Sequence, residues 1–381
     1  MLTKAYQFDR LRCGIGSAFL VKIIKVMVLA LLLAVAASAQ ASGVAGTIQE
    51  KATTPAPDSP TTAQKIKRWF EMDTLNLSVR YRHMTTNVNL NASDVAQFRF
   101  QAKGRFKFDN KGKYSISAGI YTGNSITGGW GSTGWGTGGP QTNLYLKQLY
   151  FEAKPVKGLA IQVGGIAPIN GENTEITGYD NDAYLMGERI SIRDAKKFFF
   201  DEISLTNAHI GDVFRPSVFS RFKRLDESNY HQILVKKTLN KNVAVSADYT
   251  FEAGRDTFRQ GVRFSIPKFK VFDSMRFENY QQVDPNPNYG FAISGDKKLN
   301  NRLSVKAGFA RIDTTMFNGD WYGRGNRVFA GWNYTLTREL SFNGVWLQGV
   351  GPLPAANSIR SRFEVALTFN ILETLKRRKV I

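Results

Sequence analysis

The sequence predicts an all-β fold, a transmembrane antiparallel β-barrel of about 16 strands, with 14–18 as the range. Three observations predict it. Apolar and polar residues alternate over many short segments, as in "QFRFQAKGRFKFDNKGKYSISAG" from Gln97 to Gly119. Connections between segments alternate between short and longer. An export leader precedes the whole array.

The leader comes first. A basic stretch is followed by an apolar run from Val26 to Ala37, and Ala37-Ser38-Ala39 or Ala39-Gln40-Ala41 offers a small-residue cleavage site. The run falls short of the about 20 apolar residues a spanning helix needs, so residues 1–41 read as a signal peptide. Val21 is an alternative start of translation. The only cysteine, Cys13, lies in this leader, which leaves the remaining chain without disulfide or thiolate-metal chemistry. Residues 42–73 read as a Pro/Thr-rich linker, "TTPAPDSPTTAQ", and a short amphipathic lead-in, "KIKRWFEMD".

From Thr74 to Ile371 the chain reads as strands and turns. Period two places successive side chains on opposite faces. Such segments begin near Leu75, Gln97, Tyr114, Leu144, Leu159, Phe199, Phe214, Tyr230, Val243, Phe258, Met275, Tyr289, Leu303, Val328, Leu340 and Arg362. Those at Phe199, Phe214 and Met275 alternate poorly. "DNKGK", "KPVKG", "HIGD", "LNKN", "IPKFKVFD", "DKKLNN" and "LTREL" form the short connections. Between them lie "SITGGWGSTGWGTGGPQTN", a stretch from Ile166 to Lys197, "DTTMFNGDWYGRGN" and "GVGPLPAANS". Short turns on one rim and longer loops on the other suit an outer-membrane barrel, and a soluble sandwich gives no reason for them. Mean hydropathy is slightly negative although aromatics make up 12% of the chain, as expected where only every second residue faces lipid. Tyr81, Tyr121, Tyr150, Trp332, Tyr334 and Trp346 are candidates for interfacial girdles. Residues 372–381 form a basic tail.

Two stretches carry a family resemblance. "LKQLYFEAKPVKGLAIQVGGI" (Leu146 to Ile166) and the closing strand "RFEVALTFNI" (Arg362 to Ile371), with Phe369 near its end, resemble the Gram-negative general porin superfamily. In this sequence ten further residues, "LETLKRRKVI", follow Ile371, beyond the aromatic at which such chains usually stop. The resemblance implies a channel in the cell outer membrane. It also implies that the third long connection folds into the barrel and narrows it; here that loop carries Glu172, Glu175, Asp180 and Asp182, with Glu188 further on.

The alternation itself assigns the lumen. With Phe98, Phe100, Phe106 and Phe108 toward lipid, Arg99, Lys103, Arg105 and Lys107 point inward. Arg80 and Arg82 on the first strand and Arg362 on the last join them as a basic ladder, since those strands pair on closure. Charge alone is a poor guide. Of the formal +20, the leader holds +4 and the short-turn rim with the tail about +12. Nucleic acid is set aside as a partner because the chain is exported.

Catalysis has little support. His83, His209 and His231 stand apart, and the Gly-rich run from Gly128 to Gly139 lacks a following Gly-Lys-Ser/Thr. That run reads as a mobile extracellular loop, although Trp130 and Trp135 suit sugar stacking. The expected function is passive diffusion of small hydrophilic solutes with modest anion preference, with no cofactor, metal or catalytic residue. Outer-membrane lipids are the surroundings, and both a homotrimer and a monomer suit the sequence. The alternatives are a sugar- or phosphate/anion-specific channel on the same barrel, an outer-membrane barrel enzyme, and an adhesin or receptor barrel.

Overall fold

The computed structural model describes residues 69–86, 92–126, 128–137, 141–173, 183–193, 199–266, 270–284, 287–313, 316, 324–351 and 359–378. The leader and most of the linker fall outside them. Arg68–Thr374 form one compact unit.

Sixteen strands make one closed antiparallel sheet in sequence order, β1 returning to β16. They are β1 (Phe70–Thr86), β2 (Ala92–Lys107), β3 (Tyr114–Tyr121), β4 (Tyr145–Ala153), β5 (Leu159–Ile166), β6 (Leu185–Ile192), β7 (Glu202–His209), β8 (Tyr230–Asn240), β9 (Val243–Glu252), β10 (Arg255–Ser265), β11 (Ser274–Gln282), β12 (Asn288–Lys298), β13 (Leu303–Ile312), β14 (Gly325–Thr335), β15 (Leu340–Gly349) and β16 (Ile359–Asn370), followed by helix α1 (Ile371–Arg377). The expected lead-in is already strand from Phe70. Closure pairs Leu77 with Phe369, Val79 with Leu367 and Tyr81 with Val365, which leaves no edge strand.

The polarity is inside out. Along β1 and β8, Leu77, Val79, Tyr81 and Ile233 are 42%, 51%, 42% and 51% exposed on the outer face. Their sequence neighbours Ser78, Arg80 and Gln232 are 1%, 9% and 1% exposed on the inner face. Water on the outside would be a poor solvent for such a surface; hydrocarbon is the solvent that suits it. Trp332, Tyr334 and Trp346 share the outer face with Tyr81, in register with Val305, Leu303 and Ala330. Tyr121 and Tyr150 do not belong to the girdle. They share the inward register of Gln101 and Gly164, and Tyr150 packs on Ile166, Leu185 and Tyr230 inside the barrel.

One expected segment is not a strand and one strand falls where none is expected, so the two errors cancel in the count. β6 lies inside the stretch expected to be one long loop. Its sequence "LMGERISI" hides the alternation, because Glu188 occupies an outward position opposite Val163 and Asn207. The segment near Phe214 is no strand. Val218–Arg224 form a 3-10 helix whose Val218, Phe219 and Phe222 pack on Leu149 and Met186. Phe219 and Phe222 stand three apart with ring centroids at 5.9 Å, the eclipsed spacing of that helix. His209 and Asp212 consequently belong to the long-loop rim rather than to a short turn.

The short-turn rim is built from local hydrogen bonds. In the β2–β3 turn, the Asp109 carboxylate accepts from the backbone N–H of Lys111 (2.7 Å), Lys113 (3.1 Å) and Tyr114 (2.8 Å). Gly112 supplies the left-handed residue at φ +63°. Slight burial pushes the Asp109 carboxyl up, but the N–H donors outweigh it and hold it below the ordinary carboxylate range. A lowered folded value stabilises above the unfolded pKa of about 3.9, and that stabilisation is lost as pH falls through the folded value. Asp109→Ala is therefore expected to lower the unfolding temperature of the detergent-solubilised barrel at pH 7, with the gap to the parent closing toward pH 2. An equal gap at both pH values would mean that the charge plays no part.

Candidate functional site

The inner wall holds the candidate residues, and the β1–β16 seam gathers Arg80, Arg82 and Arg362 around one carboxylate. Arg80 donates to Glu364 (3.3 Å) and to Gln97 Oε1 (2.6 Å), Arg362 donates to Glu364 (2.8 Å), and Arg82 also pairs with Glu364. One carboxylate thus serves three guanidinium groups. Nearer the short-turn rim, Arg105 lies 3.4 Å from both Glu71 and Asp73, and Lys107 lies 2.7 Å from Glu71. Lys103 carries no ion pair among the described residues, and Arg99 lies with its guanidinium carbon 4.7 Å from the Trp130 ring. All seven expected ladder residues share the inward register of Ser78, Gln97 and Gln101. Against seven cations stand three carboxylates, so this wall is basic and compensated only in part.

A second basic row lies on β10 and β11. Arg255, Arg259 and Arg263 recur every fourth residue of "RDTFRQGVRF", and Arg276 faces Arg263 across the β10–β11 ladder. An even spacing keeps a strand's residues on one face, so the row was available from the sequence alone. Arg259 donates to Asp248 (2.7 Å) and Thr250 (2.8 Å). In a closed sheet of sixteen strands, β10 lies eight strands from β2. The lumen is therefore basic on opposite walls, not on one.

The β5–β6 loop enters the lumen. Arg189, inward on β6, donates to Gln162 (3.2 Å), Thr206 (2.9 Å) and the Ala167 carbonyl (2.8 Å), fixing the root of the loop. Gln232 on β8 donates to the Ile169 carbonyl at 3.2 Å. The Glu172 N–H donates to Ser246 on β9 (2.7 Å), and its carboxylate accepts from Arg263 on β10 (2.7 Å). Two glycines permit this close approach. A Cβ on Gly171 would stand 2.2 Å from Ser246 Oγ, and one on Gly261 would stand 2.2 Å from Asn173 Oδ1.

The expected acidic set is thus only partly placed. Glu172 pairs with Arg263 of the second arginine row rather than opposing the first. Glu175, Asp180 and Asp182 lie outside the described residues. Glu188 is on the outer face, 3.4 Å from the Asn207 amide. The sequence signal for the anchoring residues was weak, because Glu172 and Arg263 are 91 positions apart.

No three His, Cys, Asp or Glu side chains are grouped as a metal ion requires among the described residues.

Two variants test this geometry. Glu364→Ala removes the carboxylate shared by the buried Arg80 and Arg362 and the partly buried Arg82, so the barrel should lose about 3 kcal/mol of stability, the usual cost of breaking a buried pair from one side. It should unfold at lower denaturant, and an unchanged midpoint would show that lumenal water already screens the cluster. Gly261→Val pushes the β5–β6 loop off its wall toward the channel axis. Reduced single-channel conductance from a fully assembled barrel is expected, and unchanged conductance would place the loop away from the narrow section.

No family model matches the sequence, and no curated protein matches it. Solved structures do match in fold. A structure titled for the asymmetric conductivity of engineered proteins superposes with a TM-score of 0.50 at 12% identity, covering 79% of this chain and 100% of its own. A mutant porin of Rh. blastica gives 0.49 at 12% identity, covering 79% of this chain and 99% of its own. The closed antiparallel barrel of sixteen strands, with short turns on one rim and longer loops on the other, gives this chain a general porin-like fold.

Proposed function

We propose that the protein is an outer-membrane porin, a passive diffusion channel for small hydrophilic solutes with modest anion preference. The observation that carries this reading is the inversion of polarity: apolar side chains exposed outside, and arginines, glutamines and serines inside a closed sheet. A lumen lined by charge and narrowed by a tethered loop selects solutes by size and by field, because low-dielectric walls focus the charge of the lining. The leader over residues 1–41 supports export, and outer-membrane lipids suit the outer face. A homotrimer is the assembly proposed with it. Enzymatic activity forms no part of the reading.

Substrate specificity for anions is the second reading, favoured by the two arginine rows on opposite walls. Compensation by Glu364, Glu71, Asp73, Asp248 and Glu172 favours the milder form, a general pore with a bias.

Planar-bilayer recording under a salt gradient tests the proposal. The parent should open stepwise pores with a reversal potential on the anion side. Replacing Arg80, Arg82, Arg99 and Arg105 by neutral residues should move that potential toward cation selectivity, most clearly in dilute salt, where screening lengths exceed about 10 Å. An unchanged potential would remove those arginines from the conducting path, and absence of any conductance from assembled barrels would overturn the channel reading.

A further inference from the structure

The Gly-rich β3–β4 loop, read from sequence as mobile, is sewn to the wall. β2 rises well above β3, so its upper edge lacks a neighbouring strand, and the loop fills the gap. Ala96 and Trp135 exchange backbone hydrogen bonds of 3.0 and 2.8 Å. Gly134 and Gly136, at φ +79° and +81°, flank Trp135 where a Cβ would stand 2.1 Å from the Ala96 carbonyl oxygen and 2.4 Å from that of Asp94. Trp135, in register with outward Ala96, is 70% exposed. The other tryptophan of the run goes the opposite way. The Trp130 carbonyl accepts from inward Gln97 (2.7 Å), and its ring lies 4.3 Å from the Arg80 guanidinium carbon and 4.7 Å from that of Arg99.

We propose that Trp130 makes the β3–β4 loop a second constriction of the lumen, one that sets both the width and the effective charge of the channel at the level of Arg80 and Arg99. This rests on the channel reading. Guanidinium groups held on an indole ring are drawn to its π face and are less free to meet a passing anion. The ring also adds bulk on the wall opposite the one that tethers the β5–β6 loop. The two loops then narrow the lumen from two sides, one anchored by a carboxylate on Arg263 and the other by an aromatic on Arg80 and Arg99. The loop is braced well enough to act as a fixed wall. Asn124 N–H donates to the Gly131 carbonyl (3.1 Å), Ile126 N–H to that of Val213 (2.8 Å), and Lys147 Nζ to those of Ser125 and Gly128 (2.7 Å each).

The test compares Trp130→Ala, Trp130→Phe and Trp135→Ala with the parent, by single-channel conductance and by reversal potential in a potassium chloride gradient. Trp130→Ala should raise conductance about 1.5-fold and move the reversal potential further to the anion side, since width and freed charge change together. Trp130→Phe, which keeps a ring, should stay near the parent, and Trp135→Ala, on the outer face, should change neither quantity. Parental values from assembled Trp130→Ala would overturn the inference, as would an equal effect from Trp135→Ala. Should Trp130→Ala not assemble, Trp130→Cys treated with a bulky water-soluble thiol reagent gives the same decision: stepwise block supports the constriction, and uninterrupted current overturns it. A parent without conductance would instead reject the channel reading itself.

Discussion

Backbone hydrogen bonding without water is the constraint on which everything else in this molecule depends. In hydrocarbon, an unpaired N–H or carbonyl costs several kcal/mol, so a sheet can cross a bilayer only when it has no edge. The register of β1 on β16, from Asn76 opposite Asn370 to Met84 opposite Arg362, supplies that closure. Once the sheet is closed, alternation assigns every strand residue to the outer face or to the lumen. Leu77, Val79 and Tyr81 take the outer face because Ser78, Arg80 and Arg82 take the inner one, and no residue of the strand can be moved singly.

Closure also creates the problem that the loops solve. Strands β3, β5, β6 and β7 have eight residues each, whereas β1 and β2 have 17 and 16. The tall strands would leave open edges above the low wall. The three longest connections, β3–β4, β5–β6 and β7–β8, rise from that low sector, and their described parts do two jobs. Some parts pack on the wall: Trp135 pairs with Ala96, and Val218 buries Leu149 and Met186. Others enter the lumen: Glu172 reaches Arg263 and Trp130 reaches Arg80. The same feature that completes the wall therefore narrows the channel. Mutual compensation holds the lumen together, with Glu364 beneath three arginines and Asp248 beside Arg259, while leaving it wet and basic.

The strands from Gln97 to Lys107 and from Arg362 to Asn370 were legible because one face is apolar throughout and the turn chemistry around Asp109 is local. β6 was not, since Glu188 interrupts its outer face and Arg189 follows at once. The segment near Phe214 misled for the opposite reason. Its aromatics at Phe219 and Phe222 suit a helix turn, not a strand, and Pro216 breaks the pattern. The first arginine ladder was read from alternation, and the second, at Arg255, Arg259 and Arg263, obeys the same rule. Loop placement was beyond local reading. Contacts such as Glu172 with Arg263 or Trp130 with Arg80 depend on the closed shape and on glycines, Gly171, Gly261 and Gly134, whose value is the absence of a side chain.

Adjacent residues of one strand face opposite sides of the barrel wall. A chain beginning after Cys13 has no native thiol. Single cysteines at Lys103 and Ala102, placed in barrels reconstituted into lipid vesicles, test the claim directly. The account predicts that the thiol at 103 reacts with a small water-soluble reagent, while a fluorophore carried at 102 is quenched by brominated acyl chains and the thiol there is protected from the reagent. Equal labelling at both positions, or quenching at 103, would contradict it.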